Sequence, residues 1–133
     1  MIRREVRDCA FKLVYAKLMR DDDIEDLYSV FEDSELVVVD NKVREMVDGV
    51  LAHIDEIDAV IAKYSKTRAV LRIAKLNLAI LRIAIFEALY DDDTPVNAAI
   101  SEAVLLSRKY TYEEDAAFIN GILGSFSREA GNV

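Results

Sequence analysis

The sequence predicts an all-α fold, and three observations carry that prediction. Apolar residues recur at helical spacing along most of the 133 residues. The chain holds four Gly and one Pro, while the helix formers Ala, Leu, Glu, Lys and Arg dominate. No stretch makes a convincing strand, and the pattern resolves into six or seven helices. With 53% apolar residues the chain is long and apolar enough for a self-sufficient core, and one domain over residues 1–133 is expected.

Val6, Ala10, Leu13, Val14 and Leu18 place a helix over residues 3–20. Arg3 and Arg7 project from one side of it, and Asp8 and Lys12 are spaced to pair. Asp21-Asp22-Asp23 interrupts the pattern. A short helix over Ile24–Phe31 follows, with Leu27, Tyr28 and Phe31 inward. The apolar run Leu36–Val39 reads as a packed connector. Asp40 is the expected N-cap of the next helix. Val43, Met46, Val47, Val50, Ile54, Ile57 and Ile61 then trace one long buried stripe, read as a single amphipathic helix. Tyr64–Thr67 is a link.

Ala69–Leu89 is apolar almost all round, as expected of a helix at the centre of a bundle, with a break expected near Leu76–Leu78. Arg68, Arg72, Lys75 and Arg82 keep one edge wet. Thr94-Pro95 reads as a helix start, Thr as cap and Pro at the first helical position. Val96, Ile100, Ala103 and Val104 supply an inner face closed by Tyr110. Thr111 and Glu114 fit a capping box, and Ala116, Ile119, Ile122, Leu123 and Phe126 point the last helix inward.

Charge is distributed unevenly. The net charge is -8, yet residues 1–20 balance to +4, 21–60 to -12, 61–90 to +5 and 91–133 to -5. Any contact with phosphate would be local, made by the first helix and the stripe on the central one, and would be salt-sensitive. The other reading of both charge runs is an ordinary solvated face. No secretory leader is recognisable, and the apolar stretch Val70–Leu89 carries Arg72, Lys75, Arg82 and Glu87, each costly in hydrocarbon. A cytoplasmic protein is expected.

Catalytic chemistry finds no support. One Cys and one His exclude the common zinc sites and any internal disulfide framework. His53 has no nearby nucleophile and reads as a surface residue. Cys9 reads as a packed thiol. Asp21–Asp23 and Asp91–Asp93 lack the ligand spacing of a calcium loop and read as solvated links. No metal, cofactor or enzymatic activity is expected.

Four blocks then bring a family into view: RREVRDCAFKLVY at 3–15, AILRIAIFEAL at 79–89, PVNAAISEAVLLSRKY at 95–110 and FINGILG at 118–124. In order and spacing they resemble the bacterial transcription antitermination family NusB. The resemblance spans nearly the whole chain and is weakest between Asp21 and Val39. It implies two packed helical bundles, with no catalysis. It further implies binding of boxA RNA together with the small-subunit ribosomal protein NusE. Through other Nus elongation factors that pair would reach RNA polymerase and support ribosomal RNA transcription. Some members form homodimers. A related domain fused to ribosomal RNA methyltransferases has a catalytic part for which 133 residues leave no room.

Carried over residue by residue, Arg3, Arg4 and Arg7 match the arginine-rich start that meets phosphate. Lys12 stands where many members have Gln. Tyr15 matches a tyrosine near the RNA, its other reading being a half-buried core residue. Phe118 matches a phenylalanine that stacks on an unpaired base, a role favoured because Ile119, Leu123 and Phe126 already fill the inner stripe. Leu76, Asn77 and Arg82 are the positions expected at a protein-partner surface. Asn120 and Gly121 read as structural, Gly121 permitting close helix contact. Glu87 and Glu102 are assigned to the fold, with Arg82 as a possible ion-pair partner. Ala117 replaces a common basic residue, SEAV at 101–104 replaces NEAV, and the usual charged pair at Asn77 and Leu78 is missing. These departures keep a second reading open: a helical protein–protein module or homodimer with little RNA binding of its own.

Overall fold

The computed structural model describes residues 1–35 and 37–130, the side chain of Ala130 excepted. Among them are seven α-helices: α1 (Arg3–Arg20), α2 (Ile24–Ser34), α3 (Asn41–Ala52), α4 (Ile54–Tyr64), α5 (Lys75–Tyr90), α6 (Val96–Tyr110) and α7 (Glu113–Ala130). A single 3-10 turn, Val70–Arg72, leads into α5.

The architecture follows from α5. Its residues from Asn77 to Ile85 are buried without interruption, as expected of a helix apolar on every side. It packs against α1 and α3 on one side and against α4, α6 and α7 on the other. Two helical bundles thus share one central helix. Phe11, Leu13, Tyr28, Ile57, Ile80, Leu81, Ile119 and Leu123 are among the fully buried side chains. Tyr28 still reaches a polar partner, its hydroxyl donating to Asp48 at 2.7 Å.

Caps explain several boundaries. Asp23 accepts from the Glu25 amide at 2.9 Å and opens α2. Asp40 accepts from the Val43 amide at 2.9 Å and opens α3. Asp21 closes α1 in the left-handed region (φ 54°), where an Asp is better tolerated than most residues. In the connector before α3, Val37 is buried, Val39 packs against the core and Val38 is exposed, while Leu36 lies outside the described residues.

Other boundaries correct the sequence reading. The stripe from Val43 to Ile61 belongs to two helices, broken at His53 (φ -110°, ψ 20°). At the break the His53 ring stacks on Tyr90 of α5 with centroids 4.0 Å apart. A Cβ on Gly49 would lie 2.4 Å from Phe86 Cζ, so only glycine lets α3 sit this close to α5. The expected break near Leu76–Leu78 falls earlier, at Ile73-Ala74, and Leu71 on the preceding turn is 93% exposed.

Thr94 does not cap α6. Pro95 takes the cap position rather than the first helical one, and the Thr94 hydroxyl donates to Asp91 at 2.7 Å and to Glu87 at 3.4 Å. On α6 it is Ala99, Ala103, Leu106 and Ser107 that are buried, with Val96, Ile100 and Val104 only half-buried. Thr111 forms no capping box with Glu114. It ends α6, donating to the Ser107 carbonyl at 2.7 Å, and Asp115 accepts from the Tyr112 amide at 3.3 Å to open α7. Gly121 makes no close helix contact: it is exposed, with nothing within 4 Å of a Cβ placed on it.

Candidate nucleic-acid interface

The first two turns of α1 set three arginines against carboxylates from α5, α6 and the loop between them. Arg7 points inward. Its Nε and Nη2 donate to the two oxygens of Glu87 at 2.5 and 2.9 Å, and the two side chains are only 7% and 1% exposed. Arg3 reaches Glu87 at 3.3 Å and also pairs with Asp91. Arg4 grips Glu102 bidentately at 3.0 and 2.9 Å, and Arg7 Nη1 lies 3.7 Å from the same carboxylate. The hydrogen bond from Arg4, with the charges of Arg7 and Arg4, holds the Glu102 carboxyl below its ordinary range against a smaller opposing effect of burial. Glu87 and Glu102 therefore do serve the fold, but their partners are the arginines of α1. Arg82 instead pairs with Asp58 at 2.9 and 2.7 Å.

One turn further along α1 the balance turns positive. Lys12 and Lys109 converge on the single carboxylate of Asp8 at 3.1 and 3.0 Å, and the Tyr110 hydroxyl donates to it at 2.6 Å. Burial alone would raise the Asp8 carboxyl, but the hydrogen bonds from Tyr110, Lys109 and Lys12 outweigh it and hold the group below its ordinary range. Beside these cations lies a groove of about 520 Å³ walled by Phe11, Tyr15, Met19, Phe31, Leu76 and Tyr110, with Lys12 and Arg20 on its rim. Tyr15 is half-buried in that wall, stacked on Phe11 with centroids 6.3 Å apart, and Phe11 meets Tyr110 at 5.0 Å. An aromatic wall beside a cationic rim has the chemistry that unpaired bases and their phosphates require.

Phe118 is half-buried on α7, and the Arg68 guanidinium lies 4.7 Å over its ring. Of the three positions expected at a partner surface, only Leu76 is accessible, and it belongs to the aromatic groove. Asn77 is 1% exposed, donating to Asp115 at 2.8 Å and leaving its Oδ1 without a partner, while Arg82 is 7% exposed. Neither presents a polar group outward. The sequence does not single out Arg20 and Lys109, and it places Tyr110 on the inner face of its helix and Arg68 in the basic stripe. Lys109 and Tyr110 close the PVNAAISEAVLLSRKY block, which was the one signal pointing to them.

Groups that would suggest other chemistry are occupied or isolated. Cys9 is a buried lone thiol. The Nδ1 of His53 sits 2.9 Å from Glu56, whose carboxylate also accepts from Tyr90 at 2.9 Å. Among the described residues no cluster of three or more metal-ligating side chains forms, and no helix is long and apolar enough to cross a membrane.

Comparison with known proteins fits this arrangement. The NusB family model matches residues 4–128. The transcription antitermination protein NusB of Acetivibrio thermocellus is 42% identical over 126 residues, spanning 93% of this chain and 87% of that protein. T. maritima NusB superposes with a TM-score of 0.82 at 27% identity, over 97% of this chain and 92% of that one. A chain from the crystal structure of the antitermination factors NusB and NusE in complex with dsRNA also gives 0.82, at 25% identity and 96% coverage of both chains. The chain belongs to the NusB family of non-enzymatic transcription antitermination proteins.

Proposed function

We propose that this chain, acting as one RNA-binding domain, is an antitermination adaptor. It binds boxA RNA together with the ribosomal protein NusE and helps bring that assembly to transcribing RNA polymerase, supporting ribosomal RNA synthesis. The observation that carries this reading is the aromatic groove bearing Tyr15, with Lys12 and Arg20 in its lining, on the same helix that opens with Arg3, Arg4 and Arg7. In this reading Arg3, Arg4 and Lys12 meet phosphate, Tyr15 and Phe118 meet bases, and Arg7 anchors α1 from within. Family membership, with a fold like that of a chain in the NusB–NusE–dsRNA structure, supports it.

Fluorescence anisotropy with a labelled boxA-like RNA and a scrambled control, at about 0.1 M salt, with and without NusE, tests the proposal. Selective binding that tightens with the partner is the expected result. Absence of selective binding in both conditions, with folded protein and active partner, refutes it.

A second reading is a helical protein–protein interaction module or homodimer with little RNA binding of its own. It draws on the filled arginine forks and on the exposed Ile2, Val38 and Leu105, which lie beside Arg4 in a second groove of about 370 Å³. Charge reversal at Arg3 and Arg4 separates the two: RNA binding falls with the fold intact in the adaptor reading and changes little in this one.

A further inference from the structure

We propose that Glu102 sets the RNA affinity of the α1 face by occupying Arg4 as a surrogate for phosphate, so that binding there is an exchange of carboxylate for phosphate. The inference rests on the adaptor reading and adds the residue that opposes it. Arg4 presents Nε and Nη2 to the two oxygens of Glu102 at 3.0 and 2.9 Å. A phosphate takes the same fork in the same two-point geometry. The two partners differ in freedom: the Arg4 side chain is 65% exposed and that of Glu102 18%. The guanidinium can swing toward solvent while the carboxylate stays in place.

Nor is Glu102 stranded when Arg4 leaves, because Arg7 Nη1 remains 3.7 Å away. Arg7 itself cannot make the exchange, being buried on Glu87. An exposed ion pair contributes little and opens easily. After the exchange, however, a phosphate on Arg4 faces the ionised Glu102 nearby. The carboxyl stays ionised through the neutral range, as an ordinary glutamate does, with Arg7 Nη1 still 3.7 Å away. Like charges at such separation weaken binding by roughly twofold to fivefold in a solvent-like medium. The α1 face is thereby tuned to weak binding by the chain alone, leaving tight binding to cases where further contacts add to it.

Glu102→Gln keeps an acceptor for Arg4 and removes the charge. Anisotropy titrations with a labelled single-stranded boxA-like RNA compare wild type, E102Q, R4A and the double variant R4A/E102Q, each shown folded by circular dichroism. E102Q is expected to bind roughly twofold to fivefold tighter than wild type, and R4A more weakly. R4A/E102Q should match R4A, because without the fork there is no exchange to relieve. A gain that persists in the R4A background would be a general charge effect and would overturn the proposal. So would E102Q binding no tighter than a wild type that itself binds. If neither wild type nor E102Q binds RNA, with NusE or without it, the adaptor reading falls and this inference with it.

Discussion

Replacing Arg7 with alanine removes one half of the most enclosed ion pair among the described residues and leaves the other half in place. Glu87, 0% exposed, loses its two hydrogen bonds of 2.5 and 2.9 Å. It keeps Arg3 at 3.3 Å and a long contact from Thr94 at 3.4 Å. Removing one partner of a buried pair costs about 3–5 kcal/mol, and the surviving Arg3 contact places this case near 3 kcal/mol. With an unfolding entropy of about 2 cal/mol/K per residue, that corresponds to a fall in Tm of about 10 °C for a chain of this size. Urea denaturation followed by circular dichroism measures it as a lower midpoint at unchanged slope. Arg7→Met with Glu87→Leu, which removes both charges, should recover most of the loss. RNA affinity of R7A, measured well below its melting temperature, should stay within about threefold of wild type, under 1 kcal/mol. A stability loss below about 1 kcal/mol, together with a tenfold or greater loss of RNA binding, would show that Arg7 faces phosphate and would refute the inward reading.

Two glycines should respond in opposite directions. Gly121→Ala, with nothing near its Cβ, should stabilise by about 0.5–1 kcal/mol through helix propensity. Gly49→Ala drives a methyl into Phe86 and should cost about 1–3 kcal/mol; both are read from urea midpoints. Tyr15→Ala and Phe118→Ala should each weaken RNA binding by about tenfold in the anisotropy assay with the circular dichroism spectrum unchanged, whereas a loss of stability alone would return Tyr15 to a purely structural role. The Asp8 and Glu102 carboxyls lie below their ordinary range in the folded chain, so the unfolded chain binds more protons in acid. Their stabilisation is complete above about pH 5 and is lost as pH falls through the folded-state values. The urea midpoint should therefore fall below about pH 4, less steeply in Asp8→Asn.

Local pattern revealed those elements whose cause is local. The ends of α1 follow from its periodicity and the Asp run after it, and the start of α3 from the Asp40 side chain. The burial of α5 follows from an apolar surface on every side. Features imposed by distant residues were not legible. The stripe from Val43 to Ile61 keeps its spacing through His53, where the helix breaks and the imidazole stacks on Tyr90 of another helix. Thr94 has the right chemistry for a cap, but α6 opens one residue later, with Pro95 at the cap position, and the Thr94 hydroxyl donates to Asp91 and Glu87. The family resemblance located Arg3, Arg4 and Arg7. Whether each head group faces solvent depends on Glu87, Asp91 and Glu102, between 80 and 98 residues away along the chain. Tyr15 is half-buried, as its core reading has it, and it also walls the groove on which the proposed RNA contact rests.

The shared position of α5 also governs the order in which the molecule can be assembled. Helices α1 to α3 emerge from the ribosome first but have no completed core until α5 arrives to cover them. Arg7 waits for Glu87 in the same way. Once α5 docks, it closes both bundles, so neither half persists as a folded fragment. Opening either bundle exposes the same central helix. Amide protons in the middle of α5 should therefore exchange only through global unfolding, while the ends of α2 and α7 exchange through local fraying.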